Sequence, residues 1–75
     1  MSRNESNLIF ITLYQKYNKM MLSKKEVANE LGISLRTLNR RMEEKAALPS
    51  YTKNGGIFLF PLESVSKYIS ALGKL

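Results

Sequence analysis

A short basic stretch, residues 34–41, holds the side chains whose types and spacing suggest the clearest chemistry. It carries three arginines, a threonine and an asparagine, and no acidic residue. An arginine guanidinium can pair with guanine O6 and N7, and an asparagine carboxamide can pair with adenine N6 and N7. The predicted base-contacting residues are Arg36, Thr37, Asn39 and Arg40.

The rest of the composition excludes most other chemistry. The 75 residues include no His, Cys or Asp, so a catalytic triad, a thiol nucleophile, a disulfide and a zinc finger are all excluded. The six acidic residues are all Glu, mostly in polar helical contexts. No enzymatic activity, metal or cofactor is therefore expected. The net charge of +6 indicates a polyanionic partner.

The chain lacks the pattern of a membrane-spanning segment or a signal peptide. Its longest near-apolar run is Leu8–Tyr14, seven residues, whereas a spanning helix needs about 20. The preceding residues carry Arg3 and Glu5 and have no net charge, unlike a secretory leader. We expect a cytoplasmic protein with no membrane partner.

Two helices joined by a short turn must position the basic stretch. Ser23 and Glu26 match a capping box that opens a helix over 24–31, and Gly32 ends it. Ser34 can cap a second helix over about 35–46. Residues 24–46 thus predict a helix-turn-helix, whose second helix enters the major groove. The predicted phosphate contacts in this unit are Lys24, Lys25, Ser34 and Arg41.

A β-hairpin over residues 50–60 is predicted next. Two β-prone runs flank Asn54-Gly55, which suits a type I′ turn. That turn pairs Lys53 with Gly56, Thr52 with Ile57 and Tyr51 with Phe58. As a wing, the hairpin would place Lys53, Asn54 and Gly55 on phosphates. Pro61 can then open a C-terminal helix over 61–72.

The N-terminal region allows two interpretations. Residues 1–7 are polar and predicted to fray. Residues 8–20 are predicted to form a helix that extends back to about residue 6, with Asn4 or Ser6 as its cap, although Leu8–Ile11 also suits a strand. This helix is apolar around more than half of its circumference. It either completes a small core or forms an oligomer contact through Phe10, Leu13, Tyr14 and Tyr17.

Together these elements predict one domain over residues 1–75. The fold class is mainly α with a small β-hairpin, a winged helix-turn-helix preceded by an extra N-terminal helix.

Residues 22–72, about two-thirds of the chain, resemble the small winged helix-turn-helix domains of excisionases and MerR-type regulators. The resemblance rests on Leu22–Ala28, Leu31–Ser34, Arg36-Thr37, Leu48-Pro49, Gly55-Gly56 and Phe60–Glu63. Two positions depart from the family pattern. Asn39 stands where an aromatic residue is common, and Ile57 follows the glycines where the family's wing often carries Arg.

The resemblance implies sequence-specific binding to double-stranded DNA, most simply by a small transcriptional regulator encoded by a bacterium, phage or plasmid. An excisionase that assists a recombinase is the alternative, and a DNA-packaging subunit is a further one. A single module buries only about 600–1,000 Å² on DNA, so we expect a homodimer or a cooperative array. An interaction module that binds another protein through the N-terminal helix is the alternative from a different functional class.

Overall fold

A computed structural model describes residues 2–72, with side chains from residue 7 onward. In chain order the elements are α1 (Ser2–Tyr17), β1 (Met21–Leu22), α2 (Lys24–Leu31), α3 (Leu35–Glu43), β2 (Thr52–Asn54), β3 (Ile57–Pro61) and α4 (Leu62–Leu72). The strands form an antiparallel sheet in the order β1-β3-β2. In the described part of the chain, no helix has the length and apolar character needed to cross a bilayer.

Helix α1 confirms the helical interpretation of its apolar run but corrects both of its ends. It begins at Ser2, so residues 2–7 are helical where the sequence predicts a frayed tail, and neither predicted cap opens the helix. Met1 lies outside the described residues. The helix ends at Tyr17 instead of residue 20 because Asn18 adopts a left-handed conformation, with φ of 55°. Asparagine tolerates this region better than most residues do.

The inner face of α1 packs on the rest of the molecule. Leu13 is 4% exposed within the core, and Phe10 and Tyr17 pack against that core. The predicted oligomer contact is therefore wrong for Leu13, which has almost no surface to offer a partner. Tyr14 is exposed, together with Leu8 and Ile11 on the same outer face.

The core lies where the sheet meets the helices. Phe60 on β3 is fully buried opposite Leu22 on β1, and Val27, Leu62 and Val65 close around them. The short strand β1 is not predicted from the sequence. It pairs Met21 with Pro61, so Pro61 ends β3 and α4 begins one residue later than predicted.

The hairpin forms with a register that differs from the predicted one. Asn54 pairs with Ile57, Lys53 with Phe58 and Thr52 with Leu59, so the turn is Gly55-Gly56. Both glycines have positive φ, 58° and 86°. A type I′ turn needs positive φ at both central positions, and two glycines meet that need without the strain that Asn54 would carry.

Helix α3 also ends earlier than predicted, at Glu43 rather than residue 46. Lys45 lies in the left-handed region with φ of 56° and interrupts the helix. The following loop is tied to α4, because Ser64 Oγ donates to the Ser50 carbonyl over 2.8 Å and Tyr68 Oη donates to the Ala47 carbonyl over 3.1 Å. Residues 73–75 of the predicted domain lie outside the described residues.

This arrangement confirms the predicted fold class. The chain is mainly helical, and α2, α3 and the β2–β3 hairpin form a winged helix-turn-helix that α1 precedes.

Candidate nucleic-acid interface

The first helix of the helix-turn-helix has both predicted end signals. Ser23 Oγ accepts from the Glu26 backbone N–H at 3.2 Å, and Glu26 Oε1 accepts from the Ser23 backbone N–H at 2.8 Å. Gly32 follows with φ of 72°, and the Ile33 N–H donates to the Ala28 carbonyl over 3.0 Å. These bonds satisfy backbone groups that a helix end would otherwise leave unpaired.

Helix α3 begins at the predicted cap. Ser34 Oγ accepts from the Thr37 N–H at 3.0 Å and donates to Thr37 Oγ1, also over 3.0 Å. Ser34 and Thr37, predicted as phosphate and base contacts respectively, are therefore bonded to each other at the start of the helix. Leu38 is fully buried on the opposite face, which fixes the rotation of α3 about its axis.

The outward face of α3 carries the two arginines predicted to contact bases. Arg36 and Arg40 are four residues apart, so they lie side by side, and both are exposed. Neither side chain forms a hydrogen bond or ion pair with another described residue. They line an open depression that Asn39 and Glu43 share. Both guanidiniums are thus available to an incoming ligand.

Arg41 occupies a different position on the same helix. It is half-buried at the flank, about 100° around the helix from Arg40. That orientation suits a contact with a phosphate at the edge of a groove better than a contact with bases inside it.

Lys24 makes internal contacts that the sequence does not predict. Its Nζ donates to Asn39 Oδ1 over 2.8 Å and lies 4.5 Å from the centroid of the Phe58 ring. The ammonium thus joins α2, α3 and the wing. The adjacent Lys25 is exposed, as a phosphate contact requires.

The predicted wing contacts lie at one end of the hairpin. Lys53, Asn54 and Gly55 are all exposed, and Lys53 Nζ is 5.5 Å from the Phe58 ring centroid. Gly55 and Gly56 leave the tip without side chains, so a backbone or base edge can approach it closely. Ile57 is 62% exposed beside this tip.

A polar cluster braces α2 from the side of α1. Glu30 accepts hydrogen bonds from Lys16 at 2.6 Å and from the Tyr17 hydroxyl. Burial acts to raise the pKa of Glu30, but the hydrogen bonds from Lys16 and Tyr17 outweigh it and hold that pKa below its usual value. Burial is also the main cause of a raised pKa for Tyr17.

A second acidic residue anchors the beginning of α2. Lys19 pairs with Glu26 at 2.7 Å. Burial acts to raise the pKa of the Glu26 carboxyl, but the bonds from Lys19 and Ser23 lower it overall. Both carboxylates of α2 are therefore held ionised by partners outside the helix, and α2 is fixed near each end.

Sequence reasoning missed two residues at this surface. Glu43 lies seven residues after Arg36, on the same outward face, and helical spacing alone could have identified it. Phe58 supports Lys24 and Lys53, a role that depends on long-range pairing and leaves no local signal.

Comparison with known proteins agrees with this geometry. Residues 23–44, which span α2, the turn and α3, match a family model described as Bacterial regulatory protein, Fis family. The match covers less than half of the chain, and it does not identify the chain as an excisionase or as a MerR-type regulator. No curated protein and no solved structure matches the chain. The match, the capped helices and the exposed arginines agree that residues 23–44 form a helix-turn-helix of the DNA-binding type.

Proposed function

We propose that this protein is a sequence-specific double-stranded DNA-binding protein and acts as a small transcriptional regulator. The observation that carries the proposal is the pair Arg36 and Arg40, exposed and without partners among the described residues on the outward face of α3. Two long arginine side chains held one helical turn apart on the same helix face can each reach a base edge when that helix lies in a major groove.

In this proposal, α3 lies in the major groove and α2 crosses the backbone. Arg36 and Arg40 contact base edges, and Asn39 and Thr37 lie beside them. The N-terminal end of α3 also offers backbone N–H groups and a positive dipole to a phosphate, next to Ser34.

The remaining basic groups surround the recognition helix. Arg41 and Lys25 would hold phosphates on either side of the groove. Lys53, the Asn54 side chain and the N–H group of Gly55 would hold the backbone beyond it. No catalytic step is assigned, since helix-turn-helix proteins of this kind generally act by binding.

A single module of this size binds weakly, so we propose a homodimer or a cooperative array on DNA. The exposed residues Leu8, Ile11 and Tyr14 on α1 are the surface proposed for contact between copies. Tyr14 already belongs to the predicted oligomer contact, and Leu8 and Ile11 take the place of the buried Leu13. The same three residues favour the second candidate, an interaction module that binds a different protein.

The excisionase alternative uses the same surface in another role. Such a protein, carried by a phage or plasmid, would assist a recombinase by shaping DNA. The bare glycine tip with Ile57 beside it suits close approach to a minor groove, which favours this alternative. Side-by-side tandem sites would indicate an excisionase, and a palindrome would indicate a two-fold symmetric regulator. In either role, a cytoplasmic, DNA-associated location follows.

The proposal is tested by selecting ligands from a pool of random duplexes and measuring affinity by fluorescence anisotropy. The selected duplex is compared with a scrambled one at two salt concentrations. We expect preferential binding to the selected duplex that weakens steeply with salt. An Arg36→Ala/Arg40→Ala variant should lose the preference. Lys67→Ala, which removes a charge paired with Glu63 on α4, is the control and should keep it. Equal affinity for both duplexes would refute sequence-specific recognition.

A further inference from the structure

The hydrogen bond between Lys24 and Asn39 connects residues fifteen positions apart in the sequence, at the edge of the proposed major-groove surface. Both side chains are half-buried. Lys24 is the first residue of α2 and Asn39 lies midway along α3. The bond therefore joins the two helices of the helix-turn-helix. One of its two residues, Asn39, lines the depression that would receive DNA.

This bond fixes which way the Asn39 carboxamide points. A lysine ammonium has only donors, so the atom of Asn39 that faces it is the acceptor oxygen, Oδ1. The amide is planar, so the NH₂ group lies on the other side of Cγ. Among the described residues, that NH₂ group has no hydrogen-bond acceptor. Asn39 consequently presents a donor to whatever occupies the depression beside Arg36 and Arg40.

An asparagine oriented in this way does not suit adenine. The usual pairing needs the carboxamide oxygen to accept from adenine N6 while the NH₂ group donates to N7. Here an ammonium 2.8 Å from Oδ1 occupies space and places positive charge where the N6 amino group must approach. The groups that Asn39 and Lys24 offer most directly to a base are the NH₂ group and the ammonium, and both are donors. Guanine, with acceptors at both O6 and N7, is the base edge that matches them.

Phe58 keeps the ammonium in this position. Its ring lies 4.5 Å from Lys24 Nζ, on a strand held by pairing with Lys53. Tyr51 packs edge-on against the same ring, with centroids 5.6 Å apart. The wing therefore limits the conformations of Lys24, whose long side chain would otherwise be free to leave Asn39.

We infer that Lys24 is a specificity-determining positioning residue, which orients Asn39 to select guanine over adenine at one base pair of the target. This inference rests on the proposed function. It assigns Lys24 a role different from that of its exposed neighbour Lys25, which contacts a phosphate in the proposed complex.

The test is to repeat the selection from random duplexes with the wild type and five variants. Asn39→Ala identifies the base pair that Asn39 reads. Lys24→Met removes the donor and keeps the length of the side chain, whereas Lys24→Arg keeps a donor. Lys25→Met is the matched control, because it removes the same charge one residue away.

We expect the wild type to prefer guanine at the position that Asn39→Ala identifies. Lys24→Met should shift that one position towards adenine by about tenfold, as expected for one base-specific contact, and Lys24→Arg should restore guanine. Lys25→Met should weaken binding to all duplexes without changing the preference. Phe58→Leu, which retains both bonding partners, should give a smaller shift in the direction of Lys24→Met.

The outcomes separate the inference from the function on which it rests. If the wild type selects no sequence at all, the proposed function fails and the inference fails with it. If the wild type selects a sequence but Lys24→Met, like Lys25→Met, weakens binding to all duplexes without changing the base preference, only the inference is overturned. The inference alone is also overturned if Asn39→Ala leaves the base preference at every position unchanged.

Discussion

The adjacent arginines Arg40 and Arg41 allow a stringent test of the proposed interface, because they differ in position but not in charge. Arg40 is exposed on the outward face of α3, four residues after Arg36. Arg41 is half-buried at the flank. Replacing each by alanine removes one positive charge from the same helix. Any difference between the two variants therefore reports where each side chain points.

The two substitutions should have effects on DNA binding that differ in size and in kind. Losing a base contact by Arg40→Ala should cost about 1–3 kcal/mol on the preferred duplex, or about 5- to 150-fold in affinity. Losing a phosphate contact by Arg41→Ala should lower the slope of log affinity against log salt by about 0.9. Because of this change in slope, the loss of affinity caused by Arg41→Ala should be about 3.5-fold larger at about 50 mM salt than at about 200 mM.

Fluorescence anisotropy measures both effects on the selected and scrambled duplexes at the two salt concentrations. Arg40→Ala should reduce the ratio of the two affinities, whereas Arg41→Ala should weaken both equally and keep the ratio. If both variants lower both affinities alike, the proposed orientation of α3 in the groove is refuted. Thermal unfolding of each variant provides the control for folding.

Three further predictions concern the scaffold. The Glu30 carboxylate stabilises the fold at neutral pH, and because its pKa is lowered, this stabilisation is lost only as pH falls through that lowered pKa. Glu30→Gln should therefore flatten the decline in melting temperature between pH 6 and 3, and an unchanged decline would contradict the proposed bracing. Phe60→Ala should cost about 3–5 kcal/mol of unfolding free energy in urea titrations, because the ring is fully buried, and a cost below about 1 kcal/mol would contradict its place in the core. Gly56→Ala should lower the free energy of unfolding by about 1–2 kcal/mol, because φ at Gly56 is 86°, whereas Asn54→Ala should leave it nearly unchanged. A larger loss for Asn54→Ala than for Gly56→Ala would indicate that the turn is Asn54-Gly55.

The local signals in the sequence predicted the helix-turn-helix well. The capping box at Ser23, the left-handed Gly32 and the cap at Ser34 depend on residues within one turn of each other, so the sequence displays them directly. The outward position of Arg36 and Arg40 follows from the burial of Leu38, which helical periodicity also shows.

The hairpin register could not be predicted from the hydrophobic pattern. The predicted and observed pairings differ by two residues on β3, so both place Lys53 and Phe58 on the same face of the hairpin. Burial cannot distinguish two such registers. The choice depends on the turn, where Gly55-Gly56 accommodates two positive φ angles more easily than Asn54-Gly55.

Long-range contacts explain the other structural features that could not be predicted from the sequence. Strand β1 has only two residues, and it forms because Leu22 meets Phe60 far along the chain. Helix α1 is apolar on several sides, so its sequence cannot show that Leu13 faces the core while Tyr14 remains outside. The bond between Lys24 and Asn39 likewise depends on how α2 crosses α3.

The contacts around α2 imply that the proposed interface approaches DNA as one preformed unit. One end of α2 is held by Glu26 and the other by Glu30, which receives bonds from α1. Lys24 joins the same helix to α3 and to Phe58 on the wing. A surface fixed in this way loses little conformational entropy on binding, so more of its contact energy appears as affinity. The wing and the recognition helix are then placed together, and a change at Lys24 affects both.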